Sequence, residues 1–176
     1  MKRRTRPLEA GFTLIEMIVV VVLIGILAAI ATPSFLTFLT RQRLNDAQAE
    51  GMVAVREAQA KARQQKRAWE VCFQDDGTKV RWFVRPVAAG ANCATNPAPW
   101  NDLIGSDADI IQIDPTSSLS NGYYNVQFQP NGWVTNFTQE NKIIFKTRNQ
   151  NAGSKRCVYV ATMLGAIRTG KDNECL

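Results

Sequence analysis

Hydrophobic and polar residues divide the chain into two parts, and the first part contains a long apolar run. Residues 12–31 hold a single charged side chain, Glu16. A helix of this length rises about 30 Å, which matches the hydrocarbon thickness of a bilayer. A carboxylate inside a bilayer costs about 2.5 kcal/mol or more, so it is normally kept for a partner or a function. The pattern therefore predicts a membrane-length helix in which Glu16 has a specific role.

The helical pattern continues past this run with a different character. Pro33 lacks a backbone N–H and its ring clashes with the carbonyl group four residues earlier, so we expect a bend near residues 29–33. Small and apolar residues then recur at three- and four-residue steps, which predicts one packing face. Its members are Leu36, Leu39, Leu44, Ala47, Gly51, Val55, Ala58 and Ala62. A partner-binding coiled coil is a second interpretation, but the small residues favour packing within the chain because they lack coiled-coil anchors.

From Trp69 the apolar period changes from about 3.6 residues to two. Residues 69–73 and 80–84 are rich in aromatic and β-branched side chains and flank the turn sequence Asp75-Asp76-Gly77, which predicts a β-hairpin. Prolines and glycines in residues 86–106 predict a long loop. Further strands are predicted at residues 110–113, 123–128, 142–146, 156–160 and 166–169. The sum is an α+β fold in which six or seven strands form an antiparallel sheet against the amphipathic half of the helix.

Charge is distributed unevenly along the chain. The 176 residues carry a formal charge of +6, and residues 1–11 contain four basic residues and one acid. This basic flank predicts that the N-terminus stays in the cytoplasm while the rest of the chain is exported. Without residues 1–11, 17 basic and 14 acidic residues remain, a charge of +3, so much of the basicity belongs to the flank. The remaining length fits one globular domain.

Four cysteines follow the apolar run: Cys72, Cys93, Cys157 and Cys175. An exported chain meets an oxidising compartment, so these residues predict disulfides. Four cysteines allow three pairings, and we favour Cys72 with Cys93 and Cys157 with Cys175 because each pair closes a short loop. Each disulfide would stabilise the domain by about 3 kcal/mol in the chain-entropy model.

No residue pattern predicts an enzyme. The chain has no histidine, which excludes a Ser-His-Asp or Cys-His arrangement and a mixed Cys/His metal site. There is neither a C-x-x-C pair nor a G-x-x-x-x-G-K-[ST] phosphate loop. A carboxylate pair stays open, but turn and loop chemistry explains the available aspartates more simply; these are Asp75, Asp76, Asp107, Asp109 and Asp114. The sequence thus predicts a non-enzymatic protein without a metal or a cofactor.

The start of the chain resembles a known signal. A short basic leader that ends in Gly11, the string Phe12-Thr-Leu-Ile-Glu16 and an unbroken apolar run closely resemble the prepilin signal of type IV pilins and type II secretion pseudopilins. Pro33 stands where many members of the family carry a helix-bending proline. The resemblance implies cleavage between Gly11 and Phe12 and methylation of the new amine of Phe12. In the fibre core, Glu16 would then pair with the N-terminal amine of a neighbouring subunit and set the subunit's register.

Two other interpretations of the apolar run stay open. A simple bitopic anchor explains the length and the basic flank but not Glu16. An ordinary secretory signal would use residues 29–31 as a small-x-small cleavage site, although its preceding region would be long and contain two acids. The mature N-terminus distinguishes the three: Phe12 for a prepilin, Met1 for an anchor and Thr32 for a secreted protein.

Residues 123–176 resemble, more weakly, the minor pilin and H-type pseudopilin branch of the family. The resemblance rests on an aromatic-Gln-Pro-x-Gly turn at residues 128–132, and on a Leu-Gly turn, a final strand and a C-terminal cysteine. It implies a structural subunit, present at low copy, of a type IV pilus or a type II secretion pseudopilus.

DNA binding is the alternative function. Some minor pilins of this branch bind DNA through a Gly-Arg-x-Arg segment, and the corresponding stretch here is Gly165-Ala-Ile-Arg168, in which Ala166 replaces the first arginine. A DNA-binding minor pilin for uptake in natural transformation would use these basic residues for phosphate contacts: Arg168, Lys171, Lys155 and Arg156. A solvated polar edge is the simpler interpretation, because the nearby acids Asp172 and Glu174 dilute the positive field.

The resemblance also implies an organisation and a location. Residues 1–11 would be the leader, residues 12–40 the transmembrane and fibre-core helix, and residues 41–176 the exported head. The implied partners are other pilins or pseudopilins, the prepilin peptidase and methyltransferase, an inner-membrane assembly platform, and the membrane before assembly. The chain would first be a single-pass inner-membrane protein with its head outside the cytoplasm. It would then join a pilus or pseudopilus at the periplasm or the cell surface.

Overall fold

The structure is a computed structural model that describes residues 11–87, 93, 99–117, 122–135, 137, 141–148 and 153–175, without the side chains of residues 31–34. Contacts divide the chain into two units, one that ends at Leu39 and one that spans Thr40–Leu176. We call the second unit the head. A long helix, α1 (Leu14–Gln65), contributes residues to both units.

Eight strands follow α1 in the part of the chain that the structure describes. They are β1 (Trp69–Asp75), β2 (Val80–Pro86), β3 (Asn101–Asp102), β4 (Ile111–Ile113), β5 (Tyr123–Phe128), β6 (Lys142–Thr147), β7 (Arg156–Val160) and β8 (Ile167–Lys171). Short 3₁₀ helices lie at Gly105–Asp107 and Asp172–Cys175. The predicted hairpin and the later predicted strands are confirmed within one to two residues at their ends.

The strands form two four-stranded antiparallel sheets, with the orders β3-β2-β1-β5 and β4-β6-β7-β8. The predicted α+β fold, with antiparallel strands against the long helix, is confirmed, and the division of the strands between two sheets is an addition that the sequence did not predict. Alternation along a strand predicts which side chains face the core, but the choice of neighbour across a long connection depends on tertiary contacts. The short strand β3 lies inside the predicted loop at residues 86–106, and its Asn-Asp sequence carries no strand preference.

The head half of α1 packs against the strands through one face, which confirms the intramolecular interpretation. At most 1% of each of these side chains is exposed: Leu44, Ala47, Ala54, Val55, Ala58 and Ala62. They join Phe73, Phe128 and Phe145 from the strands in one core. The buried face begins later than predicted, because Leu36 is 58% exposed and Leu39 is half-buried in the first unit.

Small residues allow α1 to approach the second sheet closely. A Cβ atom placed on Gly51 would lie 2.9 Å from two ring atoms of Phe145, too close for a normal contact. One turn earlier, the Gln48 amide donates hydrogen bonds to the carbonyl oxygens of Cys157 (2.9 Å) and Gly170 (2.7 Å). The polar side chain on this face is therefore satisfied by backbone groups of β7 and β8.

Candidate functional site

The residues predicted for processing and assembly lie in the first turn of α1 and just before it. Gly11 and Phe12 precede the helix and are exposed. Thr13 caps the helix, because its hydroxyl oxygen accepts a hydrogen bond from the Glu16 backbone N–H (3.3 Å). Thr-x-x-Glu is the spacing of a capping box, and an acid in the first turn also interacts favourably with the positive end of the helix. The sequence carried this capping signal at Thr13, whereas Glu16 was singled out as the one charge in the apolar run and by the resemblance.

Apolar side chains surround the first part of α1 on every side. From Phe12 to Ile30 the large apolar residues are between 44% and 78% exposed. A helix that is apolar all round is normally buried in a membrane or among other helices. This surface is therefore the largest feature of the described chain that needs a covering partner.

Within the described residues, no single helix is both long and apolar enough to span a membrane. Residues Leu14–Ile30 and Phe35–Gln65 meet that criterion only as a pair, by length and composition. The side chain of Pro33 lies outside the described part, so the helix bend there stays a prediction.

Both disulfides that the sequence favoured are present. Cys72 in β1 is bonded to Cys93, with their Cα atoms 5.9 Å apart. Cys157 in β7 is bonded to Cys175, with a Cα separation of 5.6 Å. Gly170 lies opposite Cys157 in the β7–β8 ladder, and a Cβ atom there would lie 3.0 Å from the Cys157 sulfur. The second disulfide thus fills space that a side chain on β8 would occupy.

The four basic residues proposed for DNA do not form one accessible surface. Arg156 is only 6% exposed, and its guanidinium donates to Asn45 (2.8 Å) and to Asp172 (3.4 Å). The ammonium group of Lys155 lies 3.2 Å from Asp114. Arg168 and Lys171 on the edge strand β8 are exposed. Two of the four cations are therefore engaged inside the head, which leaves a weaker positive field than the sequence implied.

Asp114, which the sequence explains by ordinary loop chemistry, lies between Lys146 of β6 and Lys155, the residue before β7. Its carboxylate accepts hydrogen bonds from the hydroxyl (2.7 Å) and N–H (2.9 Å) of Thr116, and it lies 3.3 Å from the Lys146 ammonium. Burial by itself raises the pKa of the Asp114 carboxyl, but the bonds from Thr116, Lys155 and Lys146 outweigh it and hold the pKa well below its ordinary value.

We expect Asp114→Asn to destabilise the head in a pH-dependent way. Since the folded-state pKa of Asp114 is lowered, its contribution is present above the unfolded pKa near 3.9 and is lost as the pH falls further. The difference in unfolding free energy between wild type and variant should be of the order of 2 kcal/mol at pH 7 and smaller at pH 3. Urea unfolding of the head at both pH values measures it. A difference that stays constant would contradict the assigned role.

A second buried charge pair lies on the outer face of the first sheet, and the sequence analysis missed it. Glu70 in β1 is fully buried and faces Arg85 in β2, with 2.6 Å between Oε1 and Nε. Its other oxygen accepts from the amides of Asn125 (2.8 Å) and Gln127 (3.1 Å) in β5. The sequence did show charged and amide residues at alternate positions of these strands. Which of them face one another depends on the order of the strands in the sheet, which the sequence does not show.

Glu70 also lies within 4.8 Å of the sulfur atoms of Cys72 and Cys93, a grouping that resembles a metal site by ligand type. The two sulfurs are bonded to each other, so neither is available as a thiolate ligand. Both Glu70 oxygens are already used by Arg85, Asn125 and Gln127. The cluster therefore belongs to the packing of the sheet.

Comparison with known proteins gives a family match at the N-terminus and a similar protein over most of the chain. Residues 6–32 match the family described as the prokaryotic N-terminal methylation motif. Fimbrial protein EcpC of Eikenella corrodens is 32% identical over 117 residues, which cover 66% of this chain and 67% of EcpC. The type IV major pilin protein PilA of Myxococcus xanthus is 52% identical over 44 residues, which are 25% of this chain. The chain spans only 20% of the length of PilA.

The fold of the head has a solved counterpart. The crystal structure of the type IV minor pilin FimU from Pseudomonas aeruginosa superposes with a TM-score of 0.52 at 21% identity, over 77% of this chain and 94% of FimU. The agreement establishes the arrangement of a long helix on antiparallel sheets.

Proposed function

Because this chain belongs to the type IV pilin family and is a structural subunit of a pilus or pseudopilus, we propose that it is a low-copy subunit of a type IV pilus. EcpC and PilA carry the names of fimbrial and pilus proteins, which favours the pilus over the secretion machine. The role of a minor subunit is supported by the fold of FimU, a minor pilin with which most of this chain superposes.

The observation that carries the proposal is the apolar surface that surrounds the first part of α1. Its side chains are exposed on all sides in the isolated chain, so they require a membrane and then a bundle of similar helices. A prepilin peptidase would cut between Gly11 and Phe12 and a methyltransferase would modify the new amine. The helix would anchor the chain once in the inner membrane, with the head outside the cytoplasm, until an assembly platform transfers it to the fibre.

Glu16 has a defined place in this scheme. It lies in the first turn of α1, four residues after Phe12, so its carboxylate is near the end of the helix that cleavage creates. A neighbouring subunit's N-terminal amine would supply the opposite charge that a carboxylate needs in an apolar core. Pairing of these two groups would set the axial position of each subunit.

We expect the mature chain to begin with N-methylated Phe12. Mass spectrometry of the N-terminal peptide from sheared fibres measures this directly, with the unprocessed membrane fraction of a peptidase-deficient strain as control. An N-terminus at Met1 would indicate a simple anchor, and one at Thr32 an ordinary secretory signal. Either result would contradict the proposed processing.

A role in DNA uptake has no comparable support. Of the basic residues assigned to DNA binding, Arg156 is buried, whereas Arg168 and Lys171 are exposed on β8. The structural subunit is therefore the function that we propose.

A further inference from the structure

Three large apolar side chains are exposed together on two turns of the head. Trp133 is 52% exposed, Met163 61% and Leu164 57%. The two turns are adjacent, because the Val134 N–H donates to the carbonyl oxygen of Met163 (2.9 Å). We call Trp133, Met163 and Leu164 the tryptophan patch. Single exposed apolar residues are ordinary, whereas three on joined turns indicate a contact surface.

The patch is held in one conformation by the helix behind it. The side-chain amide of Gln59 in α1 donates to the carbonyl oxygens of Gly132 (3.2 Å) and Gly165 (2.8 Å), one in each turn. Both glycines have positive φ, and a Cβ atom on Gly165 would lie 2.4 Å from the Gly132 oxygen. The turns are therefore pressed together at positions where only glycine fits, and little ordering would be needed on binding.

Basic residues lie beside the patch. A shallow groove of about 610 Å³ on α1 is lined by Arg56, Gln59, Ala60, Arg63 and Gln64. The Arg63 guanidinium borders Gly132, since a Cβ atom there would lie 2.1 Å from Nε. The exposed cations Arg56 and Arg63 have no carboxylate partner among the described residues. The nearby acid Glu57 is already paired with Lys61 (2.5 Å).

A second copy of this chain would offer these cations mainly carboxylates that are already paired. Arg43 and Arg63 lie on α1 twenty residues apart, about 30 Å at the rise of a helix, so they mark opposite ends of the head. Four aspartates near the Arg43 end already have cationic partners in the head. The pairs are Arg43–Asp107 (2.9 Å), Lys79–Asp102 (2.8 Å), Arg148–Asp75 (2.9 Å) and Arg81–Asp76. Such neutralised carboxylates gain little from a further cation.

We propose that the tryptophan patch, with Arg56 and Arg63, binds the head of a different pilin subunit that presents free carboxylates around an apolar surface. This inference rests on the proposed function as a fibre subunit. Trp, Met and Arg are the residues that protein interfaces enrich, and Trp and Arg commonly supply most of the binding energy. Nucleic acid is the less suitable ligand, because Met163 and Leu164 offer neither a ring for stacking nor a hydrogen bond.

The test uses the full-length chain in its native host. Arg56→Glu combined with Arg63→Glu should lower the amount of chain in sheared fibres at least tenfold. The membrane level and both disulfides, read from non-reducing gels, should stay unchanged, because neither arginine forms an ion pair within the described part of the head. Lys171→Glu is the matched control, since it reverses an exposed cation outside the patch and should leave the fibre content unaltered.

The partner is identified by replacing Trp133 with the photo-cross-linker p-benzoylphenylalanine. We expect a product with a different pilin subunit, cross-linked next to an acidic residue. Replacing that acidic residue of the partner with lysine should return the variant with Arg56→Glu and Arg63→Glu to fibres. Cross-linking to a second copy, cross-linking to nucleic acid, or an unchanged fibre content of the double variant would each overturn the inference. Absence of the unaltered chain from fibres would instead contradict the proposed function.

Discussion

Replacing Glu16 with glutamine is expected to exclude the chain from fibres while cleavage between Gly11 and Phe12 continues. The substitution keeps the size of the side chain and removes its charge, so the N-terminal amine of a neighbouring subunit would lose its partner in an apolar core. An unpaired buried charge costs about 3 to 5 kcal/mol. We therefore expect at least a hundredfold loss from sheared fibres, measured by immunoblot, with an unchanged amount of processed chain in the membrane.

The choice of glutamine separates two roles of Glu16. A Thr-x-x-Gln sequence can still form a capping box with Thr13, so the start of α1 should keep its stability. Thr13→Ala is the matched variant, because it removes the cap hydroxyl, at a cost of about 1 kcal/mol, and keeps the carboxylate. If Glu16→Gln entered fibres normally and Thr13→Ala did not, helix capping would be the role of the motif and the pairing argument would be wrong.

Replacing Glu70 with leucine is expected to destabilise the head by about 3 to 5 kcal/mol, because Arg85 would be left buried without its partner. The side chain of Arg85 is only 9% exposed, so water cannot replace the lost carboxylate. Urea unfolding of residues 40–176 with both disulfides intact measures the change.

Two further variants test the origin of that loss. Glu70→Leu combined with Arg85→Met should recover most of the stability, because apolar residues of similar volume often replace a buried ion pair without cost. Arg43→Met breaks the more exposed pair with Asp107 and should cost less than about 1 kcal/mol. Equal losses for Glu70→Leu and the double variant would show that packing, rather than the unpaired charge, is responsible.

Local pattern was sufficient for the long helix and for every described strand except β3. The alternation at residues 123–128 and the aromatic run at residues 80–84 predicted β5 and the core of β2, because a strand with one buried face must repeat every second residue. Short loops also made the pairing of Cys157 with Cys175 the favoured one. The division into two sheets was not predictable, because β1 pairs with β5 across almost fifty residues of chain, whereas β4 pairs with β6.

The buried polar groups show the same limit. Glu70 is an ordinary strand residue in the sequence, and only the order β2-β1-β5 brings Arg85 and Gln127 to its two sides. Lys155 and Arg156 were counted as available cations, but the folded head places them against Asp114 and Asn45. Charge in a sequence is additive, whereas the field at a surface depends on which charges are already paired.

By itself, the sequence determined the N-terminal segment: the basic flank, the string that ends in Glu16, and a run that is apolar on all sides of its helix. These properties depend on residues close together in the chain, so local helix geometry expresses them directly. Only the tertiary structure decided the surfaces of the head. Trp133 and Met163 lie thirty residues apart and form one patch because Gln59 binds both turns, and contacts of this kind depend on the whole fold.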